Sequence, residues 1–469
     1  MKTNSFRSAV QRTAEIALLL TAFQGGFSFG NSSAAELAFQ VIYQFPQYYN
    51  GGTAAVIQGS DGNLYGSTYS QLFRITLTGN LTNLYTFPSG YYSAAKLLEA
   101  ADGNYYGTTT RPTYLSYGQL NGTLFRLTPD GTLTTLATFH GTNQNLGGQI
   151  FSPLVEAGDG ALIGTTYSGG DLILGTLFQF RTDGVFSGML SFSFNGTNGA
   201  GPRAGLIQGT DGNLYGTTTG KAFYTYPTDS SGVTNGAVIR ISPEGDFTNL
   251  FIFSGTNGDS PSGTLLQGQD GNIYGTTSAG GLGFGTVFKI ATNGFFASLF
   301  NFGGTNGAKP TGELIQLADG NLYGTTTAGG SNNLGSVFRI TTNGMLTSIF
   351  SFASKTGNSP LCGLCLAQDG NLYGTTSAGD TPGYGGGGTI FRLVPPPAIS
   401  SATQSNGNMI LSWSSFTDAV YRVEYRTNVN SGSWLTLSTN VVSSGNTTSF
   451  IDSAIGDAQR FYRVVLLPH

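Results

Sequence analysis

Carboxylates are the chemistry-bearing groups that this chain repeats. Asp-Gly-Asn-Leu-Tyr-Gly begins at Asp61, Asp211, Asp319 and Asp369, with variants at Asp102 (DGNYYG), Asp159 (DGALIG) and Asp270 (DGNIYG). Farther along each repeat, the residue after Phe (or after Ile239) is Arg74, Arg126, Gln179, Arg240, Lys289, Arg339 or Arg392. All but Gln179 are cations. A recurring acid and a recurring cation predict within-repeat ion pairs, partly buried and charge-assisted: Asp61–Arg74, Asp102–Arg126, Asp211–Arg240, Asp270–Lys289, Asp319–Arg339 and Asp369–Arg392. Calcium is the rival use of the same acids, since carboxylates and turn carbonyls are hard oxygen ligands. One carboxylate in a two-residue turn is too few ligands, so no metal and no cofactor are expected. The repeated Tyr65, Tyr106, Tyr215, Tyr274, Tyr323 and Tyr373 are read as packing residues of one strand position.

Other catalytic groups are scarce. The histidines are His140 and His469, too few for a multi-histidine metal site, and neither stands in the pattern of a Ser-His-Asp triad. His140 lies in a connection between strands, where a solvated imidazole is expected. Cys362-Gly-Leu-Cys365 has the spacing of a redox motif. On a strand, residues three apart face opposite ways, so two unbridged thiols are expected instead. A glycosidase needs only two carboxylates about 5–10 Å apart. The acids outside the motif that could serve are Glu99, Glu156, Glu313, Asp171, Asp229 and Asp259, and their spacing singles out no pair. Gly-Gly at Gly169, Gly280 and Gly329 is not a phosphate loop, because no Lys follows and no helix opens.

The elements that carry these residues are short strands. Asp-Gly and Asn-Gly are hairpin turns because Gly accepts positive φ. Each repeat reads as four strands: one leading into Asp-Gly, one after it, one ending in the cation, and a fourth ending in Phe. Antiparallel four-stranded sheets repeated radially make a β-propeller. The last repeat stops at Thr389 to Val394 with three strands, and Phe39 to Phe45 reads as an unaccompanied fourth strand. Pairing the two removes two exposed edges. The expectation is an all-β chain with a seven-bladed β-propeller over residues 36–394, closed by its N-terminal strand.

In such a ring the connections of variable length share one face, and variable loops on a rigid scaffold are where binding usually lives. Here they are aromatic: Tyr48, Tyr49, Tyr91, Tyr92, Tyr114, Tyr117, Phe223, Tyr224, Tyr226 and Tyr384. Tyrosines of this kind suit sugar rings or peptide segments. The same residues would equally serve to pack long loops onto the ring.

The pattern DGNLYGTT…GG…G(T/S)VF(R/K)I…NG, over residues 38–394, resembles the GloVer tandem-repeat family of exported bacterial proteins. That resemblance implies secreted, propeller-like arrays with varied C-terminal attachment modules. Repeat one departs from it by a short, Gly-poor connection, and repeat three by Ala161 and Ile163.

The flanks differ in character. Lys2, Arg7 and Arg12, an apolar run from Ile16 to Phe23 and the small residues Ser33-Ala34-Ala35 read as an export signal over residues 1–35. That run is shorter than the roughly 20 residues of a membrane span. Pro395-Pro396-Pro397 is a stiff spacer. Residues 398–469 carry Trp413, Trp434 and alternating strands that resemble a fibronectin type III β-sandwich lacking its final strand.

Composition bounds the partners. Charged residues make up only 9% of the 469 residues and the net charge is −4, or −6 without residues 1–35. Nucleic acid, which needs a clustered basic surface, is excluded, and a monomer is expected. The sequence therefore predicts a non-catalytic extracellular binding or surface-scaffold protein for a polysaccharide or protein. A secreted carbohydrate-active propeller enzyme with a carboxylate pair and a purely structural envelope component are the alternatives.

Overall fold

The computed structural model describes residues 16–23, 26–32, 38–46, 54–88, 90–93, 95–110, 121–140, 149–167, 169, 175–181, 186–191, 201–220, 236–379, 387–394, 399–415, 420–428, 433–445, 447–453 and 460–467. Among these residues there is no α-helix; one 3-10 turn, Ser354–Thr356, interrupts an otherwise all-β chain. Two compact units form: Gln40–Ala367 with Tyr373–Arg392, and Met1–Phe39 with Gln368–Leu372 and Leu393–His469.

Small antiparallel sheets build the larger unit, each following the same order from a two-residue first strand outward. The first sheet is Ile57–Gln58, Leu64–Ser67, Gln71–Ile75 and Leu81–Thr86. The second runs from Leu98–Glu99 to Leu133–His140, the third from Val155–Glu156 to Phe186–Ser191, and the fourth from Ile207–Gln208 to Phe247–Ile252. The fifth runs from Leu266–Gln267 to Phe296–Asn301 and adds Asp259–Pro261, and the sixth runs from Ile315–Gln316 to Leu346–Ser351. In the seventh, Cys365–Leu366, Leu372–Thr375 and Thr389–Val394 are followed by Ala38–Gln44, a strand from the other end of the chain.

Turn chemistry and close packing explain the repeat. Gly62 and Gly271 of the Asp-Gly turns sit at φ of 82° and 78°, a region that L side chains rarely adopt. The Gly after each motif tyrosine is needed for a different reason. A Cβ on Gly275 would lie 2.5 Å from Phe288 Cζ, and one on Gly324 would lie 2.7 Å from Phe338 Cζ. The tip of the third-strand Phe ring occupies this space, so any side chain there would displace it.

Apolar side chains fill the spaces between neighbouring sheets. Tyr65 and Leu72 of the first sheet pack with Leu97, Tyr105 and Phe125 of the second, and Tyr274 and Val287 of the fifth with Leu322 and Phe338 of the sixth. One cluster joins the two ends of the array: Val56, Leu64 and Phe73 of the first sheet pack with Ala367, Tyr373 and Ile390 of the seventh, with Phe45 among them. Thr375 Oγ1 donates to the Ala54 carbonyl at 3.1 Å across the same junction.

The smaller unit places a three-stranded sheet (Ile399–Ser405, Asn408–Ser414, Thr447–Asp452) and a five-stranded sheet around one core. Fully buried Trp413 is its centre, packed edge-on against Tyr421 with ring centroids 5.6 Å apart. In the five-stranded sheet, Val420–Arg426 separates Leu435–Val442 from Phe461–Leu466. Beyond Phe461–Leu466 lie Ile16–Phe23 and Gly26–Ser32. Ile16–Phe23, read from sequence as the apolar part of an export signal, is thus the strand beside Phe461–Leu466. It pairs antiparallel, with Ile16 opposite Val464 and Leu18 opposite Tyr462. An open strand edge and an apolar extended segment satisfy each other's backbone groups.

Candidate functional site

The repeated Asp sits in a fixed hydrogen-bond cage. Asp270 Oδ1 accepts from the Asn272 backbone N–H at 3.1 Å, while Oδ2 accepts from Asn272 Nδ2 at 2.8 Å and from the Tyr274 hydroxyl at 2.7 Å. Asp61, Asp102, Asp211 and Asp319 make the same bonds. At Asp159, where Ala161 replaces Asn, the backbone bond alone remains of the Asn pair, at 3.1 Å. Burial acts to raise the carboxyls of Asp61, Asp102 and Asp270, but the bonds from Asn and Tyr outweigh it and hold them below the ordinary value. The tyrosines move the other way. Burial first, and then the bonded carboxylate, push Tyr215 up to about 12.

The direct partners of Asp61, Asp102, Asp211, Asp270 and Asp319 are therefore Asn and Tyr, and the cations expected to pair with them stand farther off. Strand register is the cause: it sets Arg74 opposite Tyr65, Arg126 opposite Tyr106, Arg240 opposite Tyr215, Lys289 opposite Tyr274 and Arg339 opposite Tyr323. The cation meets the tyrosine first, and at Asp61, Asp102 and Asp270 its charge reaches the carboxylate at longer range. In the third sheet, where Gln179 replaces the cation, Arg181 stands 4.0 Å from Asp159. Arg392 in the seventh donates to Gln40 Oε1 at 2.5 Å.

Two acids weighed as catalysts are sheet-to-sheet latches. The Ser60 N–H donates to both Glu99 carboxylate oxygens at 3.0 Å, and the Ala101 N–H donates to Glu156 Oε2 at 3.0 Å. Thr210 and Gln269 donate in the same way to Gln267 Oε1 (2.9 Å) and Gln316 Oε1 (2.8 Å). Sequence reasoning missed this role. Its signal was the recurrence of Gln58, Glu99, Glu156, Gln208, Gln267 and Gln316 as second residue of the first strand.

At the opposite end of those first strands, the residues that lead into them converge on a cavity of about 110 Å³. Ala54 and Ala55, Ala95 and Lys96, Phe151 and Pro153, Arg203 and Ala204, Ser262 to Thr264, Thr311 to Glu313, and Leu361 to Gly363 line it, so all seven sheets contribute. Two lining residues meet directly: Lys96 Nζ of the second sheet contacts Glu313 Oε1 of the sixth. Burial acts to lower the Lys96 pKa, but the Glu313 charge outweighs it and the net shift is upward. The Arg203 guanidinium lies over the Phe151 ring at 5.1 Å and the Tyr167 ring at 5.3 Å. Burial, then Glu313, push the Cys362 thiol up to about 12, and neither Cys362 nor Cys365 is in a disulfide. The hydroxyl of Thr276 donates to the Gly312 carbonyl at 3.4 Å and that of Thr325 to the Cys362 carbonyl at 2.8 Å, which fixes the wall.

Of the loop aromatics, Tyr48, Tyr49, Tyr114, Tyr117, Phe223, Tyr224, Tyr226 and Tyr384 lie outside the described residues, as do Asp171 and Asp229. Tyr91 packs against the core shared by the first two sheets, and the Tyr92 ring lies 4.9 Å from that of Tyr69. Asp259 accepts from the Ser260 hydroxyl at 2.7 Å. Among the described residues, no group of three or more His, Cys, Asp or Glu side chains could hold a metal ion, and no helix is long and apolar enough to cross a membrane.

A family model for the Gloeobacter/Verrucomicrobia repeat matches residues 21–226 and again 220–450. The chain belongs to the Gloeobacter/Verrucomicrobia repeat family. No curated protein matches this family member. Among solved structures it is similar to the extracellular domain of BT4673 from B. thetaiotaomicron, with 14% identity, a TM-score of 0.47, and coverage of 91% of this chain and 56% of the other. It is also similar to the gluconolactonase XC5397 from Xanthomonas campestris, with 12% identity, a TM-score of 0.41, and coverage of 82% and 99%. The chain thus spans little more than half the length of the BT4673 domain. In this Gloeobacter/Verrucomicrobia repeat protein the family motif is, physically, the Asp–Asn–Tyr cage, and the cavity is built from residues outside the motif.

Proposed function

We propose that the chain is an exported, non-catalytic binding protein whose ligand, a polysaccharide or a protein, docks on the face that opens the cavity. In this reading residues 1–35 are an export signal and residues 36–394 a seven-bladed β-propeller closed by Ala38–Gln44. A fibronectin type III-like module, residues 398–469, follows the prolines and serves attachment or spacing. The cluster shared by the first and seventh sheets supports the closure. Cleavage of the signal would remove Ile16–Phe23 and Gly26–Ser32 and bare the edge of Phe461–Leu466.

One observation carries the choice of binding over catalysis. Glu313, the acid of the cavity wall, is held by Lys96, while Glu99 and Glu156 hold backbone amides of neighbouring sheets. A glycosidase needs one carboxyl free to protonate the leaving group and a second to attack or to activate water. These acids are committed elsewhere. The ligand is tested by glycan-array binding of the wild type and of a Tyr224→Ala, Tyr226→Ala double variant. Binding that weakens about tenfold or more in the variant is expected, from the loss of stacked aromatic surface. Absence of binding by the wild type to every glycan would remove the polysaccharide ligand.

A further inference from the structure

The cavity has an unusual charge balance for so acid a chain. Among the described residues, Lys96 and Arg203 line it against the single carboxylate of Glu313, which leaves one positive charge over, whereas the whole sequence carries −4. Glu313 already engages Lys96. Arg203 has no acidic partner among the described residues, and its guanidinium carbon lies 5.1 Å from the centre of the Phe151 ring and 5.3 Å from that of Tyr167, two rings set edge to face. Cation–π contact of this kind holds the guanidinium in place without using its N–H groups, which can still fork onto an acceptor.

A second group in the wall asks for the same partner. Ser262 Oγ is buried and has no hydrogen-bond partner among the described residues. The other two hydroxyls of the wall are occupied: Thr264 Oγ1 accepts from the Gly205 N–H at 3.2 Å, and Thr311 Oγ1 donates to the Leu361 carbonyl at 3.0 Å. A buried hydroxyl without a partner carries a free-energy cost that a ligand acceptor would remove.

We propose that this cavity is a carboxylate subsite that receives the terminal uronic acid of a polysaccharide, with Arg203 forking onto the carboxylate, Ser262 donating to it, and Lys96 setting the field. The proposal rests on the binding reading above and names its ligand class. Size supports end-on entry. About 110 Å³ holds a carboxylate and the carbons beside it, not a run of sugar rings. End-on entry also limits the repulsion between an acidic chain and an acidic protein surface, because only the terminal charge comes close and more distant charges are screened. Glu313 on Lys96 is the internal precedent for a carboxylate in this wall.

The test titrates the full chain with trigalacturonate, its methyl ester and an N-acetylated tripeptide with a free carboxylate. Trigalacturonate is expected to bind, with affinity falling as salt rises, and the methyl ester to bind about tenfold or more weakly. Arg203→Ala and Arg203→Lys should each lose about tenfold or more, the second because an ammonium cannot fork. Glu313→Gln should bind several-fold more tightly, since Lys96 is released to the ligand. Equal binding of the ester, unchanged binding by both Arg203 variants, or a tripeptide that binds as well as the sugar acid would overturn the proposal. Binding of neutral glycans without preference for the acid would overturn it and leave the proposed function standing, whereas failure of every glycan and protein ligand would remove both.

Discussion

The Tyr274 hydroxyl donates to Asp270 Oδ2 at 2.7 Å, four residues back across a hairpin turn. The same bond joins Tyr65 to Asp61 (2.9 Å), Tyr106 to Asp102 (2.7 Å), Tyr215 to Asp211 (2.6 Å) and Tyr323 to Asp319 (2.8 Å). Each tyrosine is buried in a sheet-to-sheet core while its hydroxyl reaches the turn. The motif thus ties turn geometry to core packing in one side chain.

Tyr274→Phe keeps the buried ring and removes only the hydroxyl. Its expected cost is about 1–2 kcal/mol, the worth of one hydrogen bond to a charged acceptor at a partly exposed site. Chemical denaturation of the variant against the wild type measures it. A change below about 0.3 kcal/mol would show that the bond is ornamental.

Stability should fall at both ends of the pH scale. Asp61, Asp102, Asp211 and Asp270 titrate below the ordinary value of 3.8 in the folded chain, so their contribution is present above that pH and lost as pH drops through the folded values. Tyr215 titrates at about 12 against an ordinary 10.0, so its contribution holds below 10 and disappears as pH rises toward 12. Thermal melts are expected to show a broad plateau between these limits. A decline centred near pH 6 would contradict this assignment.

Glu99 and Glu156 act as acceptors for backbone amides, as Gln267 and Gln316 do. Glu99→Gln and Glu156→Gln should therefore cost less than about 0.5 kcal/mol, and Glu99→Ala about 1 kcal/mol through the unbonded Ser60 N–H. Unfolding curves for the three variants decide it. If either Gln variant were as costly as Ala, charge rather than acceptor geometry would be what these positions supply.

Loss of residues 1–35 should bare the backbone of Phe461–Leu466, since Ile16–Phe23 is the strand beside it. Amide hydrogen exchange on the full and shortened chains is expected to show faster exchange at 461–466 in the shortened one, with the sheets of the larger unit unchanged. Equal protection in both would mean that the edge is covered by something else.

Much of the architecture was legible in the sequence because it repeats. The Asp-Gly turns, the four-strand order, the buried tyrosines and the buried Trp413 all follow from local patterns. Partner choice at Asp270 was not, because a recurring cation on the same face suggested Lys289, and only the register of the ladder sets Lys289 opposite Tyr274. Glu99 was open to detection, since Glu or Gln recurs at its position, but it was weighed only among the acids outside the motif, where spacing singles out no pair. The cavity was invisible for a deeper reason. Ala55, Lys96, Pro153, Gly205, Thr264, Glu313 and Gly363 share one place before the first strand of each sheet, yet differ in kind. The residues that line the cavity come from distant repeats. The Lys96–Glu313 pair spans 217 residues of sequence and has no local signature.

Binding without turnover is the centre of the account, and product analysis tests it most directly. The full chain is incubated with the polysaccharide that it retains, and new reducing ends are measured over time. Retention of the sugar with no reducing ends above the buffer control, for the wild type and Glu313→Gln alike, is the result expected here. Reducing ends that accumulate with the wild type and vanish with Glu313→Gln would contradict it.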